Sequence, residues 1–477
     1  MKTIRYTYKP MQLLVLLGML IIGACSDDLP EALDTSDKYT VLESIRLINA
    51  GENGDMIVEG TVNEMTKEIS FPRIDPETDF SQLRFEITAS DGARLEKESY
   101  EVVFGEGESD KSIVLKLVND PRFREYYARF RLNIPVFGAE FSLATVYDYS
   151  ANPGGNPVHD AFTGLLTRGS GFDGEYVLVA SRASFSAANP HLLSVSDLKN
   201  NVVNRIPLNP TGIAEGTLVA SGGAQINGHS YVANLSGGAA SPLKIYHWTD
   251  PTQPAELIAN VNIGGLSGAG VRHGDNVSFN IDNNGNGFIF FISQQGPILR
   301  LSVSNYTQVT NPTVLAAATT YGQWASMVRI GTTDSYLLTG NEHPISIASV
   351  GGAVSYTMAS TSIPKQGVDP RVVEFNGERY LIMVTAARYT GESTTLYVYN
   401  ITPGGSISEA LANFEQTNRA PLYEYTLSSV PNSAPASQTG FHIVKDEEGQ
   451  DSVLQLYAAG ADAGFVVIEV PKKVLED

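Results

Sequence analysis

The segment Asp282-Asn283-Asn284-Gly285-Asn286-Gly287 carries the residue types of a calcium site. Asp282, Asn284 and Asn286 place oxygen donors at the first, third and fifth positions, and the glycine at the sixth allows the sharp turn that such a loop needs. The twelfth position is Ser293 rather than a bidentate glutamate. Asn and Asp also stabilise ordinary turns by bonding their own backbone. The sequence therefore leaves two interpretations, a Ca²⁺ site or a structural turn, and it indicates no other cofactor.

A second group of candidates lies in loops that a β-propeller would gather at one mouth of its channel. Arginines and planar amides hydrogen-bond sugar hydroxyls and carboxylates, and an aromatic ring stacks on a sugar face. The group consists of Arg182, His273, Asp275, Gln294, Trp324, Glu342, His343, Asp369, Arg371, Arg388 and Tyr389. Trp324, one of two tryptophans, is expected either to stack on a sugar or to fill the core of a blade. The group predicts a site for a neutral or acidic glycan or another extracellular polymer.

The same residues leave an enzymatic alternative open. In a polysaccharide lyase or glycoside hydrolase, Asp275, Glu342 or Asp369 would act as acid or base. Arg371 or Arg388 would then hold a carboxylate of the substrate. The sequence has no nucleophile elbow, no His-Glu-x-x-His helix, no phosphate-binding loop and no cysteine-based metal spacing, so no catalytic residue is assigned from motifs. A third alternative is a scaffold for a protein partner, such as an outer-membrane protein.

Cys25 is the only cysteine, and it follows a secretory signal. A basic start, the apolar run Met11–Ile22 and small residues before the cysteine have the layout of a signal peptide. This layout resembles the lipobox of bacterial lipoproteins, which implies cleavage before Cys25 and lipidation of that residue. Ser26-Asp27-Asp28 resembles the acidic export tag of Bacteroidetes surface lipoproteins, and it equally suits a solvated linker. We therefore expect a lipid-anchored protein of the outer membrane, exposed at the cell surface and without an intramolecular disulfide.

The charge balance limits the partners. The formal net charge of −20 argues against nucleic acid, because a phosphate backbone requires concentrated Lys and Arg. It also argues against docking on an anionic surface, so contact with the membrane is expected through the lipid alone.

Six hairpin repeats between Phe141 and Val470 must position these candidates. In each repeat, an apolar strand enters a tight polar turn and leaves as a more apolar strand. The six turns lie at Phe172–Gly174, Asn227-Gly228, Asp282–Gly287, Gly331–Asp334, Asn376-Gly377 and Asp446–Gln450. A spacing of roughly fifty residues is typical of propeller blades. The sequence predicts six blades, with seven as the alternative, and a ring closed by the segment Ser142–Tyr147.

The segment before the repeats predicts a separate all-β unit. Alternating runs such as Ser112–Leu117 and Tyr127–Leu132 indicate half-buried strands of a small sandwich. Its features are similar to those of the Ig-like N-terminal domains of Bacteroidetes surface lipoproteins, which implies a spacer. The predicted division is a signal peptide over 1–24, a linker over 25–38, an Ig-like sandwich over 39–137 and the propeller over 138–477. The whole chain resembles a family of surface lipoproteins of unknown function with this organisation.

Overall fold

The computed structural model describes residues 38–105, 107–152, 158–163, 167–182, 189–214, 218–236, 241–317, 319–417 and 419–475. The predicted signal peptide and Cys25 lie outside the described residues. The chain divides into two compact units, residues 1–135 and 136–477.

The first unit is one sheet of seven strands. These are β1 (Leu42–Ala50), β2 (Met56–Asn63), β3 (Glu68–Ser70), β4 (Phe85–Ala89), β5 (Arg94–Leu95), β6 (Asp110–Asn119) and β7 (Arg122–Arg131). Their order is β4-β1-β2-β3-β7-β6-β5, and the β3–β7 pair is parallel.

This sheet curls around its own core. Strands β4 and β7 are four positions apart, which would separate them by about 19 Å in a flat sheet. The rings of Phe85 on β4 and Phe130 on β7 nevertheless lie 6.1 Å apart, and both pack with Phe71. An Ig sandwich has two separate sheets, whereas hydrogen bonds here run continuously through β2 and β3. The Ig-like assignment therefore stays a prediction.

The second unit is a β-propeller, and the described residues form six four-stranded sheets. Blade 1 contains β9 (Thr167–Phe172), β10 (Tyr176–Ser181), β11 (His191–Ser194) and β12 (Arg205–Pro207), with helix α1 (Val195–Lys199). Blade 2 contains β13 (Gly222–Ile226), β14 (His229–Ala233), β15 (Leu243–Trp248) and β16 (Glu256–Val261). Blade 3 contains β17 (Ser278–Ile281), β18 (Gly287–Ile292), β19 (Ile298–Ser304) and β20 (Gln308–Leu315).

The remaining three blades follow the same antiparallel order. Blade 4 contains β21 (Ser326–Arg329), β22 (Ser335–Gly340), β23 (His343–Ser349) and β24 (Val354–Thr357). Blade 5 contains β25 (Gly367–Phe375), β26 (Glu378–Thr385), β27 (Thr394–Asn400) and β28 (Tyr423–Ser428), with helix α2 (Ile407–Gln416). Blade 6 contains β29 (Ser437–Lys445), β30 (Asp451–Gly460), β31 (Gly464–Pro471) and β8 (Thr145–Ser150).

The six-blade prediction is confirmed, and the seven-blade alternative is wrong. The long interval between the fifth and sixth hairpins holds α2 and β28 instead of another blade. Helix α2 starts where Ser406 Oγ accepts the Glu409 N–H at 3.2 Å. It buries Ala410, Leu411 and Phe414 on one face.

The predicted closing strand exists with shifted bounds. Strand β8 pairs with β31 from Ser150 opposite Gly464 to Thr145 opposite Glu469. Phe141–Leu143 form a 3₁₀ turn before it. The chain thus supplies the outermost strand of its last blade from the start of the propeller, which leaves no unpaired edge at the junction.

The first strand of each blade lines the axis, and its two ends define two faces of the propeller. The turn face is the end where each first strand turns into the second strand, as at Asp173 and Asn227. The loop face is the opposite end, where the chain enters the first strands and leaves the second strands.

Glycines let the first strands of blades 1 and 2 approach each other closely. A Cβ atom on Gly169 would lie 2.8 Å from Gly222 C, and one on Gly171 would lie 2.6 Å from Ala224 C. Backbone therefore packs directly on backbone at this junction.

Candidate functional site

A cavity of about 620 Å³ runs along the propeller axis. Residues from the first strands or turns of all six blades line it, including Ser170, Gln225, Asn280, Arg329, Asp369 and Thr439. The lining side chains near the turn face are exposed, as at Asn227, Asn283 and Thr332, whereas Ser170 and Asp369 deeper in the channel are buried. The cavity therefore opens on the turn face.

Polar side chains tie neighbouring blades together in the cavity wall. Gln225 Nε2 on blade 2 donates to Asp173 Oδ2 on blade 1 at 3.0 Å. Asn280 on blade 3 accepts the Arg329 N–H at 2.6 Å and donates to the Met327 carbonyl at 2.9 Å on blade 4. These bonds hold the side chains in fixed positions before any ligand arrives.

Asp369 and Arg371, both predicted site residues, lie in this wall. Asp369 Oδ2 accepts the Thr439 N–H at 2.8 Å and lies 3.3 Å from Arg371 Nη2. Arg371 Nε donates to Thr439 Oγ1 at 3.0 Å. About 29% of the Arg371 side chain stays exposed, so its guanidinium can reach a ligand in the cavity.

Aromatic rings supply the apolar part of the wall. Phe172, Phe279 and Phe441 line the cavity from blades 1, 3 and 6. Phe279 and Phe441 are half-buried, whereas Phe172 is buried against Tyr457 with ring centroids 5.3 Å apart. Rings beside fixed hydrogen-bonding groups are typical of a pocket for a small polar molecule with an apolar face.

The other predicted residues lie at the loop face, where Asp275 holds two arginines. Arg272 Nε and Nη2 donate to the Asp275 carboxylate, each at 2.6 Å. Arg168 Nη2 lies 3.5 Å from the same carboxylate, and Arg168 Nη1 donates to the Ala434 carbonyl at 2.8 Å. These residues belong to blade 1, the loop before blade 3 and the loop before blade 6, so Arg168 joins two loops that lead into other blades.

Burial and like charge act on Arg168 together. The pKa of Arg168 is lowered to about 10, mainly by burial and next by the guanidinium of Arg182. Asp275 raises this pKa, and Arg272 lowers it. At the loop face, Arg168, Arg182 and Arg272 therefore act on one carboxylate, that of Asp275.

Trp324 is buried rather than open to a ligand. Only 1% of it is exposed, and it belongs to the core shared by blades 5 and 6. The guanidinium carbon atoms of Arg168 and Arg388 lie 5.5 and 5.6 Å from its ring. Its position matches the core-filling alternative, and sugar stacking by this ring would require these arginines to move.

The remaining loop-face candidates do not join one site. His273 is buried and donates to the Ala269 carbonyl at 2.6 Å. His343 contacts its neighbouring backbone and the ring of Tyr321. Gln294, Glu342 and Tyr389 are exposed, and Tyr389 packs beside Arg388.

In the calcium-like segment, the Asp282 carboxylate is bonded to the backbone of its own turn. Asp282 Oδ1 accepts the N–H groups of Asn284 and Asn286, both at 2.9 Å. Among the described residues, no group of three or more His, Cys, Asp or Glu side chains could hold a metal ion. Ca²⁺ binding at Asp282, Asn284 and Asn286 stays a prediction without geometric support.

Several site residues escaped the sequence analysis. Arg168 carries no local signal, because it is the second residue of β9 and its partners Asp275 and Ala434 lie in loops before other blades. Gln225, Asn280 and Thr439 lie inside strands, and each has a hydrogen-bond partner on an adjacent blade. Arg272 could have been found, because it stands three residues before Asp275 with opposite charge.

Six four-stranded blades around an axial cavity define a β-propeller. The family profile described as "Domain of unknown function (DUF4623)" matches residues 27–473. The chain therefore belongs to the DUF4623 family.

One solved structure supports this assignment. A DUF4623 family protein from Bacteroides eggerthii is 41% identical, with 91% of this chain and 99% of that chain covered, at a TM-score of 0.76. The WD40 β-propeller domain of Doa1 is 10% identical over 76% of this chain and 89% of its own, at a TM-score of 0.31. A quinonprotein alcohol dehydrogenase-like protein from Bacteroides thetaiotaomicron is 11% identical over 74% of this chain and 92% of its own, at a TM-score of 0.30. The last two are too distant to bear on function. No curated protein matches the chain.

Within the described ranges, no helix is both long and apolar enough to cross a membrane.

Proposed function

We propose that the protein is a cell-surface lipoprotein that binds the end of a glycan chain, or a similar small polyhydroxylated group, in the axial cavity. The cavity carries this proposal. Its volume of about 620 Å³ falls within the roughly 300–1,000 Å³ typical of small-molecule sites. It also combines half-buried phenylalanine rings with polar side chains whose positions are already fixed.

The acidic residues are hydrogen-bonded to other groups of the protein, and this supports binding over catalysis. Asp275 and Asp369, two of the three candidate acids or bases, are buried and bonded to Arg272 and to the Thr439 N–H. A general acid or base must instead reach a proton of the substrate. Hydrolysis or elimination of a bound glycan is therefore tested by product analysis and is not part of the proposal.

The test is a glycan-array screen of the purified protein, followed by calorimetric titration and product analysis of every hit. Thr332 is exposed at the cavity rim, so Thr332→Trp should obstruct the opening and weaken binding at least about tenfold, or about 1.4 kcal/mol. Ser196→Trp places the same ring on exposed helix α1, away from the cavity, and should leave binding unchanged.

Three results would contradict the proposal. Failure to bind any glycan overturns the carbohydrate assignment and favours a protein partner. Equal binding by Thr332→Trp and the wild type moves the site out of the cavity. Cleaved products would make the protein a lyase or a hydrolase.

A further inference from the structure

The loop face concentrates positive charge in an acidic protein. The arginine cluster is defined as Arg168, Arg182, Arg272 and Arg388 with Asp275 and Trp324. Three of its arginines, Arg168, Arg182 and Arg272, interact electrostatically with one another and with the single carboxylate of Asp275. Among the described residues, three guanidinium groups therefore share the buried carboxylate of Asp275, although the chain as a whole has a formal net charge of −20.

The one carboxylate is already occupied. Arg272 donates two hydrogen bonds of 2.6 Å to the Asp275 carboxylate. Arg168 Nη2 lies farther away, 3.5 Å from Asp275 Oδ1. Arg168 Nε is buried and has no hydrogen-bond partner among the described residues. A buried guanidinium is costly unless opposite charge and acceptors surround it. Among the described residues, Arg168 thus has no acceptor for its Nε atom and shares its nearest carboxylate with Arg272.

The cluster is reachable from solvent. About 40% of the Arg272 side chain is exposed, and Arg182 and Arg388 are half-buried. The guanidinium carbon atoms of Arg388 and Arg168 both lie near the Trp324 ring, at 5.6 and 5.5 Å from its centroid. The nearby Glu392 carboxylate accepts the backbone N–H groups of Arg388 and Tyr389 at 2.8 and 2.9 Å, so backbone donors already engage it.

We propose that the arginine cluster is a second binding site, at the opposite end of the channel from the glycan cavity, and that it binds an oxyanion carried by an extracellular ligand. The planar guanidinium forks match the oxygen pairs of a carboxylate or a sulfate ester. Arg182, Arg272 and Arg388 would contact the anion, and Arg168 would supply charge from below. The site does not depend on the axial cavity, so either proposal can fail alone.

The experiment titrates the purified full-length protein at constant ionic strength. Sodium sulfate, a uronic-acid oligosaccharide, a sulfated oligosaccharide and a matched neutral oligosaccharide are the probes, with chloride as the balancing anion. We expect at least one oxyanion probe to bind. We also expect that adding the neutral oligosaccharide does not weaken this binding. Comparing the uronate with the sulfate ester distinguishes the two sources of the oxyanion.

Substitutions with opposite expected signs locate the site. Arg182→Gln and Arg388→Gln should each weaken oxyanion binding at least about tenfold, because each removes a charged hydrogen-bond donor. Asp275→Asn should strengthen it, because the competing carboxylate is gone while the side-chain shape is kept. Arg94→Gln, at an exposed position in the first unit, removes the same charge elsewhere and should have no effect.

Clear results would overturn the proposal. It fails if no oxyanion probe binds in preference to chloride, or if Arg182→Gln and Arg388→Gln bind as the wild type does. It also fails if Asp275→Asn, checked for folding by circular dichroism, weakens binding. Loss of oxyanion binding with retained glycan binding in Arg388→Gln separates this site from the cavity.

Discussion

Asp369 and Thr439 join the first strands of blades 5 and 6 by two reciprocal bonds. Asp369 Oδ2 accepts the Thr439 N–H at 2.8 Å, and Thr439 Oγ1 donates to the Asp369 carbonyl at 2.6 Å. The Asp369 backbone is left-handed, with φ of 48°, a conformation that Asp tolerates better than most residues. A residue considered for acid–base chemistry is thus part of the cavity wall.

Asp369→Ala should lower the free energy of unfolding by about 1–3 kcal/mol, because the buried Thr439 N–H loses its acceptor. Urea denaturation followed by tryptophan fluorescence measures this change. Asp334→Ala, at a side chain that is 90% exposed, serves as the control and should be nearly neutral. Equal stability of the two variants would show that the bond contributes little.

Gly171→Ala should destabilise the junction of blades 1 and 2 by about 1–3 kcal/mol. The added methyl group would lie 2.6 Å from Ala224 C and 2.8 Å from Ala224 Cα, and backbone cannot yield as a flexible side chain does. Gly351→Ala is the matched control, because its nearest new contact is Ser349 Oγ at 3.7 Å. A wild-type melting temperature for Gly171→Ala would contradict this close backbone packing.

Tyr149 on the closing strand should be needed for the whole ring. Its ring stacks on Phe465 with centroids 5.2 Å apart, and its hydroxyl donates to the Leu198 carbonyl at 2.6 Å. Tyr149→Ala should cost about 3–5 kcal/mol, and Tyr149→Phe about 1 kcal/mol. Calorimetry should show the propeller melting at a lower temperature in one transition. If Tyr149→Ala instead affected only a separate, partial unfolding transition and left the main one unchanged, β8 would not close the ring.

Acid should destabilise the protein through His159. This residue is 2% exposed, and its Nε2 atom lies 3.0 Å from His191 Nε2. Burial is the main cause that lowers the pKa of His159 to about 4. In the unfolded chain this pKa is near 6.5, so the unfolded state binds the extra proton between these values. The free energy of unfolding therefore falls as the pH drops from about 6.5 to about 4.

The comparison with His159→Gln isolates this contribution. Between pH 7 and pH 4.5, the wild type should lose about 2 kcal/mol more than His159→Gln does. Denaturant unfolding at several pH values measures the difference. His442→Gln, at an exposed histidine, should keep the wild-type pH dependence. Parallel curves for wild type and His159→Gln would exclude this linkage.

Cys25→Ser should release the protein from the membrane fraction or block its processing, because the predicted lipid attaches to this thiol. Fractionation and mass spectrometry of the N-terminal peptide measure the effect. Ser26→Ala, which keeps the cysteine, is the control. Unchanged membrane association of Cys25→Ser would refute the lipid anchor.

The sequence by itself determined the all-β character, the six hairpins of the propeller and the existence of a closing strand. These features are local: alternating apolar residues and turns such as Asn227-Gly228 and Asn376-Gly377 are visible in short windows. The predicted grouping of Arg182, Asp275 and Arg388 also follows from strand direction, because the loops before first strands and after second strands share one face.

Only the tertiary structure decided what these groups do. The cavity opens on the turn face, whereas most predicted site residues lie at the loop face. Arg168 meets Asp275 from another blade, and Trp324 is covered by Arg168 and Arg388. Such contacts depend on how blades pack around the axis, and residues this far apart in the sequence carry no local signal of that packing.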